Sequence, residues 1–432
     1  MNEESGKASR SPSRWKRFRR RRGLFWTSVV VAAVVVLLIV MLAAASVWPD
    51  LGAKGTAAMR VVLGDRITAK IEGAMLSATD WMHGVEYSLG IGHNRDPLGS
   101  TESTASTSIA SFPPTVSVGG TPSGQSTTST TGSTVSRPPG APPSPTVAAE
   151  TPFRPAPLAP MGSLDNEGQW QPFITDQYQR VVAYRTALQP DKSRGYAHAV
   201  IVAIDLRHTR LHFVLGYEEP ASPNQFARPG IIPAQDYRAG VLLAAFNGGF
   251  QAKHGQFGAM ADGQVALPAK GGLGTLVIYK DGSVALGAWG TDVQSTPDEQ
   301  SWRQNGPLMV TQGAVNPHTA DFAPKDWGYV FGGGVATFRS GVGISRDRQT
   351  LYFVVGPSLT TSSLAAAMAH AGIWNGIQLD INRPWTRFDK AIFTSGKLGI
   401  QSAVDGVAMG DTRLFNRYRR DFFYLTAGAP PA

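Results

Sequence analysis

Beyond about residue 165, apolar residues recur in short runs, each closed by glycine, asparagine or aspartate, the punctuation of strands and turns. "AHAVIVAIDL" (197–206) and "RLHFVLGY" (210–217) predict two strands paired with each other. "VLLAAF" (241–246) predicts another, broken by Asn247-Gly248-Gly249. "LGTLVIYKDGSVALGAWG" (273–290) predicts a hairpin, because Lys280-Asp281-Gly282 holds the Asp-Gly turn signature between two apolar runs. "VATFRSGVGISRDRQTLYFVVG" (335–356) predicts a second hairpin. "TTSSLAAAMAHAG" (360–372) reads as a short helix, with Thr or Ser as its N-cap and Gly372 as its stop. "GIQLDI" (376–381) follows as a strand buried on both faces and carrying a carboxylate at its end. Together these predict an α+β domain: a strand-rich mixed sheet with few packed helices, spanning 165–432.

The first 164 residues follow other patterns. Leu24 to Trp48 carries no charged residue, and its length exceeds the ~20 residues that cross a bilayer as a helix. Trp26 and Trp48 lie near its two ends, where aromatic rings favour the interface. Residues 49–96 mix apolar and charged positions at helical spacing, with Val61, Val62, Ile67, Ile71, Met75 and Leu76 on one face. They predict a juxtamembrane amphipathic helix. Residues 97–164 predict an extended linker: between 101 and 150 there are 22 Ser or Thr and eight Pro, too little apolar surface to offset the entropy of ordering.

Charge changes this picture only at one end. The net charge is +9, but residues 1–22 hold nine Lys and Arg against Glu3 and Glu4, leaving +2 for everything else. The folded part thus lacks the basic patch of a nucleic-acid-binding protein. The basic tail, 1–23, adjoins the apolar run and predicts a cytoplasmic N-terminus, a single pass at 24–48 and an extracytoplasmic C-terminal domain. A cleaved export signal ending near Ala45 is the other reading of the same segment. Cysteine is absent, which excludes disulfides, thiol catalysis and cysteine-ligated metals. No His, Asp and Glu cluster has metal-ligand spacing, and no cofactor is assigned.

Three places put polar groups at the ends of apolar strands. The first is Asn247-Gly248-Gly249-Phe250 with Lys253 and His254; the second is Arg339 followed by Ser340-Gly341; the third is Asp380 with Asn382 and Trp385. Asn-Gly serves equally as a plain turn, Arg339 as an exposed strand residue, His254 as a surface histidine and Trp385 as core. Asp380 at the end of a buried strand needs a partner or a purpose.

In order along the chain, "FNGGF", "FRSGVGIS", the Ala-rich helix and "GIQLD" resemble the motifs of the phosphodiester glycosidase family. "LDIN" in place of that family's Leu-Asp-Gly-Gly, with "DGSVALGAWG" and "RQN", is similar to a bacterial membrane-anchored branch. The resemblance covers roughly 195–425 and implies a hydrolase that cleaves a glycosidic bond to a phosphodiester. It implies catalytic roles for Asp380, Arg339 and His254: proton transfer or attack by the carboxyl, a guanidinium on the phosphate, and an imidazole carrying protons. It implies substrate contacts at Asn247, Gly248, Gly249, Phe250, Asn382 and Trp385, the two glycines through main-chain N–H groups. The expected partners are a sugar-phosphate-containing envelope glycan and the membrane, with no nucleic acid. The alternative from another class is a glycan-binding or scaffold domain on the same fold, suggested by the changed loop after Asp380.

Overall fold

Val200, Val202 and Ile204 face one way and Ala199 and Ile201 the other, and all five are buried. A strand apolar on both sides must be covered on both, and the architecture follows from that requirement. The computed structural model describes residues 81–82, 84–90, 97–98, 151–224, 226–321, 323–328, 336–382, 385–404 and 411–429. The basic tail, the apolar run 24–48, most of the amphipathic segment and the linker between 101 and 150 lie outside the described residues. Among the described residues no helix is long and apolar enough to cross a membrane.

Eight strands form one sheet, in the order Gln171–Thr175, Val181–Leu188, Ala199–Asp205, Thr350–Leu359, Thr337–Ile344, Asn375–Ile381, Leu308–Thr311, Ala314–Val315. One face packs on the helix Thr361–His370 through Leu364, Met368, Ile201, Val354 and Ile373. The other face meets two five-stranded sheets across the main core, where Phe246 lies against Phe353, Phe388 and Phe423 at ring separations of 5.1, 5.7 and 5.2 Å. The strand-rich α+β class is therefore the one observed.

Both predicted hairpins form, as Gly274–Tyr279 with Val284–Ala288 and Thr337–Ile344 with Thr350–Leu359. Gly282 takes a φ of +84°, the left-handed conformation that a turn of this kind requires. Thr360 caps the helix: its hydroxyl accepts from the Ser363 N–H at 3.0 Å, while the Ser363 hydroxyl accepts from the Thr360 N–H at 2.9 Å.

The expected pairing of 197–206 with 210–217 is not observed. Ala199–Asp205 pairs with Val181–Leu188 and Thr350–Leu359, whereas Thr209–Val214 pairs with Phe422–Ala427 in a different sheet. The segment between them is no two-residue hairpin turn. Asp205 accepts from the Arg207 N–H at 3.0 Å and from its guanidinium, and the chain crosses from one sheet to the next. Ala199–Asp205 is buried on both faces, whereas Thr209–Val214 alternates the buried Leu211 and Phe213 with the partly exposed Arg210 and His212, so the two are covered in separate layers. At the other boundary, Leu158, Met161 and Leu164 pack on the core, within the span that composition placed in the linker. Glu167 holds them, accepting from the N–H groups of Met161 and Gly162.

One five-stranded sheet positions the site. Its order is Lys397–Ser402, Phe388–Thr394, Leu242–Asn247, Phe422–Ala427, Thr209–Val214. Antiparallel pairing sets Phe388 opposite Phe246 and Phe422 opposite Asn247. Residues just before those two strands, Arg387 and Arg420-Asp421, are thereby delivered to the point where Leu242–Asn247 ends.

Candidate active site

The Asn-Gly-Gly stretch is bound on every side by the protein itself. Asn247 donates through Nδ2 to the Ser340 hydroxyl at 3.0 Å, and its Oδ1 accepts from the Arg387 N–H at 2.9 Å. The Gly248 N–H donates to the Asp421 carbonyl at 3.1 Å, and the Gly249 N–H to Asp421 Oδ2 at 3.0 Å. The Phe250 N–H donates to Asn305 Oδ1 at 2.9 Å. A Cβ on Gly248 would lie 2.2 Å from Asp421 Oδ2, and one on Gly249 would lie 2.8 Å from the Arg303 guanidinium carbon. The glycines are thus required by the close approach of a buried ion pair. Their N–H groups, expected to face a substrate, are committed to Asp421.

That ion pair lies under the site. Arg303 Nε donates to Asp421 Oδ2 at 2.8 Å, and the guanidinium also donates to the carbonyls of Phe250, Phe257 and Gln304. Arg303 and Asn305 are the first and last residues of "RQN", so that motif fastens the Gly-Gly-Phe segment from below.

Asp380 reaches the same place through a bulge. Arg339 pairs with Ile381 and Gly341 with Gln378, so three steps along Asn375–Ile381 match two on its partner. Gln378 faces the helix side, where its amide donates to the Trp327 carbonyl, while Leu379 points into the main core. The extra residue turns Asp380 toward Gly248, whose carbonyl accepts the Asp380 N–H at 3.1 Å. Re-aiming a side chain beside a site is a common use of bulges. The Asp380 carboxylate forms an ion pair with Arg420, and the Arg420 guanidinium lies 4.6 Å from the centre of the Trp385 ring. Asp380 is 6% exposed. Burial pushes its carboxyl up from the usual carboxylate range to about 7, and Arg420 draws it back only in part.

This shift has a thermodynamic sign. Between roughly pH 4 and 7 the folded chain keeps a proton on Asp380 that the unfolded chain has released. The stability it contributes is complete below the unfolded value and is lost as pH rises through the folded one. Urea midpoints of the wild type, referred to those of Asp380→Asn, should fall across that window. A pH-independent difference would show that the carboxyl titrates normally.

Arg339 is directed elsewhere. It is buried on the helix side of the eight-stranded sheet and donates to the Leu359 and Trp327 carbonyls and to Gln378 Oε1. Burial draws its guanidinium down to about 10. Arg339 and Asp380 are thus not brought into one charge cluster by these contacts. Asn382 follows the bulge at a φ of +75°, the left-handed region that asparagine tolerates, and its Oδ1 accepts from the Thr337 hydroxyl at 3.0 Å. Ile381, in place of the other glycine, packs with Phe250 and Phe257. His254 closes a 3-10 turn, Ala252–His254, and is exposed at its edge. Desolvation first, then Lys253 and Arg420, hold its imidazole below the usual range.

The sequence reading misses Arg420, Asp421 and Arg303. "RYRRDFF" before the last strand is the available signal for the first two, but only the antiparallel register shows which arginine meets Asp380. Among the described residues no group of three His, Asp or Glu side chains could hold a metal ion.

Residues 241–380 match the family model described as phosphodiester glycosidase. Among curated proteins none matches the chain. Of solved structures, the chain is similar to the zebrafish N-acetylglucosamine-1-phosphodiester alpha-N-acetylglucosaminidase catalytic domain, auto-inhibited by its pro-peptide. The identity is 14%, covering 61% of this chain and 88% of that one, with a TM-score of 0.39. It is also similar to a hypothetical protein from Synechocystis at 11% identity, covering 60% and 64%, with a TM-score of 0.34.

Proposed function

We propose that this protein, whose residues 241–380 are those of a phosphodiester glycosidase domain, hydrolyses the bond between a sugar's anomeric carbon and a phosphodiester. The observation that carries the reading is the buried Asp380, turned by a bulge onto the Gly248 carbonyl and poised near neutrality beside Arg420. A carboxyl that titrates near working pH is suited to general acid catalysis.

Asp380 delivers a proton to the departing phosphate oxygen, and Arg420 stabilises the carboxylate that remains. His254, kept neutral by its surroundings, takes a proton from the water that attacks the anomeric carbon. One water is consumed; a free sugar and a phosphate monoester are produced. The leaving phosphate is a weak base, so partial protonation suffices. Trp385 supplies an aromatic surface for the sugar. Arg339, bound to Trp327, Leu359 and Gln378, acts by holding the strand that carries Asp380. Asn247 holds Ser340 and Arg387 in the same way.

The substrate class is an envelope glycan or glycoconjugate with a sugar 1-phosphodiester, reached by a domain anchored through 24–48 with its N-terminus in the cytoplasm. The basic tail and the long uncharged run support that placement.

Incubating the full chain with purified envelope glycans tests the reading. Appearance of free sugar with a matching amount of phosphate monoester is expected. Retention of the glycan without release would point to the binding-module alternative, and the lack of both release and retention would discard both readings.

A further inference from the structure

The mechanism does not use Arg228, a half-buried cation. Arg228 lies in the segment between Thr209–Val214 and Leu242–Asn247, and its Nε and Nη2 are buried with no hydrogen-bond partner among the described residues. A buried donor left unpaired loses its hydration with nothing in return, more so when charged, so such a group calls for an explanation.

The two atoms are chemically specific. Nε–H and the adjacent Nη2–H share one edge of the guanidinium, the fork that takes two oxygens of one oxyanion. Elsewhere in this chain the same edge is filled. Arg387 places Nε and Nη2 on Asp389, each at 2.7 Å, and Arg207 places them on Asp205, each at 2.9 Å. Arg228 presents an identical edge to no protein oxygen among the described residues.

Its position is set by main-chain bonds. The Tyr418 N–H donates to the Gly230 carbonyl, and the Glu218 and Glu219 N–H groups donate to the Arg419 carbonyl. A Cβ on Gly230 would lie 2.4 Å from the Tyr418 carbonyl, so the two segments are in direct contact. Arg228 is two residues from the first of these anchors, and Arg420 two residues from its counterpart. The carboxylates that bear on Arg228 are Asp421 and Glu219. Neither forms an ion pair with Arg228: Asp421 Oδ2 is taken by Arg303 and the Gly249 N–H while its Oδ1 is buried without a partner, and Glu219 Oε2 accepts from the Ala221 and Ala252 N–H groups.

We propose that Arg228 binds the phosphate of the substrate through this edge, on the Asp421 side of the site. The assignment rests on the reading that the substrate carries a phosphodiester, and it gives Arg228 the phosphate-holding role that the motifs had suggested for Arg339.

Calorimetric titration of the full chain with glucose 1-phosphate, and separately with uncharged methyl glucoside, tests it. Arg228→Met should weaken glucose 1-phosphate binding by at least about tenfold, and Arg228→Lys, which keeps the charge but not the fork, should weaken it too. Methyl glucoside affinity should be the same in all three proteins. The urea midpoint of Arg228→Met should be no lower than that of the wild type, since the removed cation has no partner. Unchanged glucose 1-phosphate affinity in either variant, absence of binding by the wild type, or a lowered midpoint would overturn the assignment. Sugar release by a chain whose Arg228→Lys variant has an unaltered KM would sink this inference alone. Phosphate-dependent binding without sugar release would sink the catalytic reading and leave Arg228 in place.

Discussion

Replacing Asp380 with Asn lowers the turnover of a glycosyl phosphodiester by about 10²–10⁴-fold, the usual contribution of a positioned acid or base. The loss should fall on kcat, with KM little changed, because the carboxyl acts on the departing oxygen rather than on the bound ground state. Unfolding would be a trivial cause, and the geometry argues against it. In the Asp380→Asn variant the side-chain amide oxygen can still accept from Arg420. The main-chain N–H bond from this position to Gly248 is untouched, and Trp385 still lies against the guanidinium. Near-UV circular dichroism of the variant should therefore match the wild type. A variant that keeps near-normal turnover would remove Asp380 from the mechanism, whatever else the family comparison suggests.

Arg303→Met is expected to cost about 3–5 kcal/mol of folding stability, measured by urea unfolding, because it strands a buried carboxylate. Arg303 is fully buried, 0% exposed, and is tied to Asp421 and to three carbonyls. Against a total of about 5–15 kcal/mol, that loss is enough to unfold a marginal domain. Adding Asp421→Asn should restore part of it, since the second change removes the stranded charge while leaving an acceptor for the Gly249 N–H. If the single variant unfolds at the wild-type midpoint, the pair is structurally neutral. The close packing of Gly248 and Gly249 over it would then need another cause.

What can be read from the residues in order is mostly local. The Asp-Gly turn at 281–282, the Thr360 cap and the buried strand leading to Asp380 are each decided by neighbours a few positions away, and each is found where expected. The pairing of 197–206 with 210–217 is misread, because proximity in sequence favours a hairpin and only the layer arrangement shows that the two strands belong to different sheets. The candidate site divides similarly. Asp380, Asn247 and the two glycines stand out by type and position. Their partners Asp421, Arg303 and Arg420 are 40 to 173 residues away, and no periodicity links them. The glycines point to a ligand because a close approach is evident. The approaching group is the protein's own carboxylate, and only the register could supply that.

Strand Phe422–Ala427 sits between Leu242–Asn247 and Thr209–Val214, and the residues just before it hold Asp380 and Arg303. During synthesis, two strands completed some 175 and 208 residues earlier must wait with unpaired edges until this segment has left the ribosome. Whatever activity the protein has is consequently absent from every nascent form that stops short of residue 420. An emerging chain carries those open edges until residue 427 is out, and it cannot assemble the surroundings of Asp380 before then.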